Sequence, residues 1–149
     1  VASSAFEQKY VATGKVQLVY HEFPLNIHPN AIPASEAARC AGDQGAFWQM
    51  HDFLFYNQSQ WAALTDPTSQ FAVYAGQIGI DKTAFSACLA NKTNHDAIIS
   101  ARDASEQLQL TGTPSFAVNG KIVDTTGAQT IEDIVTRVEA QVDSALAGK

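Results

Sequence analysis

The run Thr111-Gly112-Thr113-Pro114-Ser115-Phe116-Ala117-Val118-Asn119-Gly120-Lys121-Ile122-Val123 leaves a folding chain few choices. Asn119-Gly120 suits the positive φ that both central residues of a type I′ turn need, so it predicts a hairpin with strands near 115–118 and 121–124. Pro114 has a fixed φ and no N–H, which excludes a central ladder position and suits a strand start or a cis turn. By itself a Thr-Pro pair does not choose between cis and trans, because only about 5–6% of X-Pro bonds in folded proteins are cis.

Residues 1–13 read as a helix, with Ala2, Phe6 and Tyr10 recurring every four residues and Gly14 supplying a left-handed stop. No cap precedes it and its apolar face is running from the start, so it is expected to be the back half of something longer. The opening Val1 in place of Met points to a processed or trimmed terminus, and no signal peptide is visible. Lys15 to Phe23, carrying Val16, Leu18 and Tyr20, predicts a strand ended by Pro24.

From there to the hairpin the pattern is helical. Asn30 or Ser35 opens a helix through Cys40, Gly42 and Gly45 punctuate it, and Phe47, Met50, His51 and Leu54 mark the inner face of the next. Thr65-Asp66-Pro67 starts a helix carrying Phe71, Tyr74 and Ala75, Asp81 caps a short one with Phe85, Cys88 and Leu89, and another spans Asn94 to Leu108. The last combines a capping box, Thr130 with Asp133, and an apolar stripe of Ile131, Ile134, Val135, Val138, Val142 and Leu146.

A length of 149 residues allows one well-buried domain. Nine Lys and Arg residues without a basic cluster, and a net charge of -6, argue against nucleic acid or an anionic membrane surface as partner. Mean hydropathy is -0.09 and no apolar run is long enough to span a bilayer. Gly-x-Ser-x-Gly, P-loop and Gly-x-Gly-x-x-Gly patterns are absent, which removes support for hydrolase and nucleotide readings.

Several fragments, taken in order, carry a resemblance. They are Thr13-Gly14-Lys15-Val16, then Phe23-Pro24-Leu25 with His28, then Ala37-Ala38-Arg39-Cys40-Ala41 through Gln44-Gly45, then Phe47-Trp48, His51-Asp52 and Phe85 with Cys88-Leu89, and finally the Gly-Thr-Pro-Ser-Phe-Ala-Val-Asn-Gly loop. Their order and spacing resemble DsbA-like thiol-disulfide oxidoreductases. The resemblance implies an α/β, thioredoxin-like fold with an all-helical insertion between the first visible strand and the C-terminal hairpin. Residues 1–28 and 110–149 would form an N-terminally truncated core, and residues 29–109 the inserted helical subdomain. It also implies a cis Thr113-Pro114 bond, with Thr113 and Pro114 binding an extended substrate strand.

In that family the catalytic Cys-x-x-C opens the first long helix, where the helix N-terminus lowers a thiol pKa. No Cys-x-x-C occurs among these 149 residues, so no catalytic residue is assigned within them. The strand that precedes that helix in the family would pair with the segments 15–23 and 115–118. Without it the chain is expected to be unstable alone, or to have the gap filled by something else, since an unpaired buried backbone group costs about 1–3 kcal/mol.

Cys40 and Cys88 lie far apart in sequence and make a poor zinc site, which leaves a bridge, two buried thiols or a reactive pair open; the resemblance implies a structural disulfide. No metal site and no cofactor are expected. His51 reads as a core histidine, His21 as a possible neighbour of the active site, His28 as organising its loop and His95 as a surface residue. Glu22 is expected to tune a nearby thiol or to end a strand in solvent. Phe47, Trp48, Phe53, Phe55 and Trp61 form an aromatic-rich patch, mostly core, of which the resemblance implies that some line a substrate groove.

The function implied is disulfide exchange, as oxidase or isomerase, on unfolded or extended cysteine-containing proteins. It would take place outside the cytoplasm, with a membrane redox partner possible. Two alternatives remain: a redox-inactive peptide-binding module, and a glutathione-dependent isomerase or transferase to which Ser3 and Ser4 would contribute.

Overall fold

Asn119 and Gly120 adopt φ of 50° and 78°, and they close a hairpin in which Ala117 pairs with Ile122 and Val118 with Lys121. The structure, a computed structural model, describes residues 3–148, with side chains from residue 5 onward. In chain order it consists of α1 (Ser3–Phe6), a π-helical turn (Glu7–Val11), α2 (Ala31–Gly42), α3 (Phe47–Tyr56), α4 (Gln58–Trp61), α5 (Thr68–Gln77), α6 (Lys82–Ala90), α7 (His95–Gln107), β1 (Ala117–Val118), β2 (Lys121–Ile122) and α8 (Ile131–Ala147). Contacts divide it into two units, one of residues 1–20 and 111–149 and one of residues 21–110.

In the first unit the π-helical turn, closed by the Ala12 N–H donating to the Glu7 carbonyl at 2.8 Å, places Tyr10 in a core with Val123, Val138 and Val142. The Tyr10 hydroxyl donates to Asp143 Oδ1 at 2.8 Å, and burial holds its pKa above the usual value. Lys9 donates to Glu139 Oε2 at 2.8 Å, and this bond raises the ammonium pKa. The capping box of α8 is complete: Thr130 Oγ1 accepts the Asp133 N–H at 3.1 Å and Asp133 Oδ2 accepts the Thr130 N–H at 3.0 Å.

The strand expected over Lys15–Phe23 is not formed. Among the described residues the one sheet is the two-stranded hairpin, and Gln17, Leu18 and Val19 make no backbone hydrogen bond there. Leu18 and Val19 stay 38% and 58% exposed. A β-prone sequence becomes a strand only when a neighbour accepts its ladder, and no such neighbour lies among these residues.

The second unit is helical. Ala37, Ala38 and Ala41 make the inner face of α2 small, which lets Met50 and Leu54 of α3, Phe71, Tyr74 and Ala75 of α5 and Phe85 of α6 gather in one buried cluster. Asn30 sits at the start of α2, as its sequence suggests, but its side chain makes no capping bond. Its amide instead donates to the carbonyls of Trp61, Ala62 and Leu64, the last at 2.7 Å. Asp81 does cap α6, accepting from the N–H groups of Thr83 and Ala84.

Candidate functional site

The hairpin is entered through an exposed loop in which the Thr113–Pro114 peptide is cis. Ser115 Oγ donates to the Gly112 carbonyl at 2.6 Å, bracing the loop across the proline. Phe116 packs against the core of its unit, and its carbonyl accepts the Val123 N–H at 2.8 Å, which extends the pairing beyond β1 and β2. Between these anchors Thr113 is exposed, and among the described residues none of the hydrogen bonds engages its main chain. A backbone left unpaired in this way has a donor and an acceptor free for main-chain pairing.

The cysteines lie in the helical unit. Cys40 of α2 and Cys88 of α6 form a disulfide across a sequence separation of 48. Among the described residues the metal-competent grouping is Cys40, Asp43 and Cys88, and its two sulfurs are bonded to each other. The sequence reading missed Asp43 and Asn94, which flank the bridge: Asp43 Oδ2 lies 3.5 Å from Cys88 Sγ and accepts from Asn94 Nδ2 at 3.1 Å. The Cys40-x-x-Asp43 spacing, one helical turn, was the available signal.

The remaining candidates separate. Glu22 is neither a solvated strand end nor free to tune a thiol: it is buried and bidentate to Arg39, whose Nη2 donates to Oε2 at 2.7 Å. That pairing raises the Arg39 pKa further. His95 carries a partner on α2, its Nδ1 lying 2.7 Å from Glu36 Oε1. His51 is half-buried, 2.9 Å from Asp52 Oδ1 and surrounded by the rings of Phe47, Trp48 and Phe55. His21 and His28 are exposed, and His28 orders its loop through the main chain, donating to Leu25 and accepting from Ala31.

Of the aromatic patch, Trp61 is buried, Phe47 and Phe53 are half-buried, and Trp48 and Phe55 reach solvent at 43% and 52%. The glutathione reading through Ser3 and Ser4 lies outside the described side chains. Among the described residues no helix is long and apolar enough to cross a membrane.

A family model described as Thioredoxin matches residues 1–140, and the chain belongs to the thioredoxin family. Its relatives agree with the resemblance to DsbA-like disulfide oxidoreductases. Proteins named "putative protein-disulfide oxidoreductase" match in Rickettsia conorii, with 31% identity over 92% of this chain and 48% of the relative. In Rickettsia bellii the corresponding figures are 28%, 94% and 51%. A Na(+)/H(+) antiporter NhaA 1 of Salinispora arenicola is 35% identical over 89% of this chain and 19% of the antiporter. The chain thus spans about half the length of the oxidoreductase relatives and about a fifth of the antiporter. No solved structure matches it significantly.

Proposed function

We propose that this chain is the substrate-presenting part of a DsbA-like thiol-disulfide oxidoreductase, which exchanges disulfides with extended, cysteine-containing proteins outside the cytoplasm. The observation that carries the reading is Thr113, whose exposed main chain stands unengaged at the mouth of the hairpin. Pairing through peptide groups ignores side-chain identity, which suits an enzyme that takes many unfolded substrates. Thr113 and Pro114 are the substrate-binding residues of this reading, and the helical unit is an insertion in a thioredoxin-like fold.

The dithiol of the reaction is assigned to a Cys-x-x-C preceding Val1 in the complete protein, in keeping with oxidoreductase relatives about twice the length of this chain. A helix N-terminus would keep its first cysteine as thiolate, and a mixed disulfide with the substrate would be the intermediate. Cys40–Cys88 is a structural bridge, of the kind that persists outside the cytoplasm. A membrane-bound redox partner would restore the dithiol to its working state.

A second reading, a redox-inactive peptide-binding module, is favoured by one fact: the bridge uses both cysteines of these 149 residues. A reduced, unfolded peptide containing a cysteine pair separates the two when added to the full-length protein. Oxidation of the peptide together with a shift of the Thr113 amide resonance is the expected result. A shift without oxidation supports the binding module, and an unshifted Thr113 amide overturns both.

A further inference from the structure

The two sulfurs of the bridge are unequally placed. Cys40 is 1% exposed and Cys88 is half-buried, so Cys88 is the more accessible of the two to a thiolate from solution. Beside that sulfur stands a carboxylate, with Asp43 Oδ2 3.5 Å from Cys88 Sγ. The Asn94 amide fixes it there, donating to Asp43 Oδ2 at 3.1 Å while lying 3.5 Å from the same sulfur. Asp43 ends α2 and Asn94 precedes α7, so two elements hold a negative charge against a sulfur carried by α6. Arg39, which also feels the Asp43 charge, is committed to Glu22.

We propose that Asp43, held by Asn94, is an electrostatic guard that determines which disulfide enters exchange: it keeps anionic thiols from attacking Cys88 and so excludes the Cys40–Cys88 bridge from the reaction. Its purpose rests on the exchange function proposed above, whereas its chemistry does not.

Reduction begins when an external thiolate forms a bond to Cys88 Sγ, breaking the Cys40–Cys88 bond and releasing the Cys40 thiolate. A second external thiolate then attacks the mixed disulfide at the sulfur of the first reductant molecule, giving the oxidised reductant and the Cys88 thiolate. Two thiols supply the two electrons, and both cysteines end reduced. The first transition state spreads negative charge over three sulfurs in line, the central one being 3.5 Å from the Asp43 carboxylate. The leaving thiolate forms in a desolvated site, because Cys40 is buried. Both features slow the step.

The test is the rate at which Cys40 and Cys88 of the full chain become alkylatable, read by peptide mass, with glutathione as an anionic reductant and cysteamine as a cationic one. Asp43→Asn keeps the shape of the side chain and removes its charge. The expected result is an acceleration by glutathione of about tenfold in the variant, the scale of one charge at this range in water, to which Asp43 is exposed. With cysteamine, whose ammonium offsets part of the negative charge of the attacking thiolate, the acceleration should be clearly smaller, and added salt should speed the glutathione reaction of the parent chain more than that of the variant. A glutathione rate within twofold of the parent would overturn the proposal. Equal acceleration by both thiols that salt does not change would overturn it too, since that marks loosened packing rather than a removed charge. Neither outcome depends on whether the protein passes disulfides to substrates.

Discussion

Phe71 is fully enclosed by α-helical neighbours, with the Trp61 ring edge-on at a centroid distance of 5.5 Å and the Tyr74 ring at 6.4 Å. Phe71→Ala would leave a cavity that rigid rings cannot fill, and the expected loss is about 3–5 kcal/mol, measured by denaturant titration. That is a large part of the roughly 5–15 kcal/mol typical of a domain. Phe71, Tyr74 and Met50 were legible as core from their spacing alone. Glu22, Asn30 and Asp43 were not, because the partner of each comes from a distant part of the chain: Arg39 for Glu22, the carbonyls near Trp61 for Asn30, and Asn94 for Asp43. A polar residue announces that it needs a partner but not which one it will find.

At the scale of elements, α6 and α8 were readable because their signals are local. Asp81, Thr130 and Asp133 satisfy N–H groups within a few residues of themselves, so sequence and structure coincide there. The N–H groups of Gln129 and Thr130 hold the Asp133 carboxyl below its ordinary pKa. A carboxyl with a depressed folded pKa contributes stability above its unfolded pKa, about 3.9, and that contribution is lost as the pH falls through the lower folded value. Asp124, lowered by hydrogen bonds from Thr126, acts in the same direction. Thermal stability should therefore drop on acidification from about pH 5 to pH 3, and Asp133→Asn should flatten part of that slope in a series of melting curves. Between elements, the bridge joining α2 to α6 closes a loop long enough for a stabilisation of about 4 kcal/mol in the chain-entropy view. The strand expected over Lys15–Phe23 failed for the opposite reason: its signal is local, but its completion depends on a second strand.

Taken whole, the molecule is uneven. The helical unit buries Met50, Phe71, Tyr74 and Phe85 in one cluster, while the unit that carries the hairpin buries Tyr10 and three valines beside strands of two residues each. Amide hydrogen exchange should follow this division, with the longest protection in α2, α3, α5 and α6 and faster exchange at Val118 and Val123. Equal protection in the two units would contradict it. The thioredoxin-like class could be read ahead through the family resemblance carried by the Thr113-Pro114 loop, the Asn-Gly turn and the capped last helix, whereas the strand expected over Lys15–Phe23 is not formed.

Among the described residues Gln17, Leu18 and Val19 make no backbone hydrogen bond, and the side chains of Leu18, Val19 and Tyr20 are exposed beside them. Such a stretch is sticky toward any extended polypeptide, including another molecule of the same kind. When the chain is produced by itself, its colloidal behaviour should therefore improve most from supplying a short complementary strand, tethered or added as a peptide, rather than from changes to the acidic exterior.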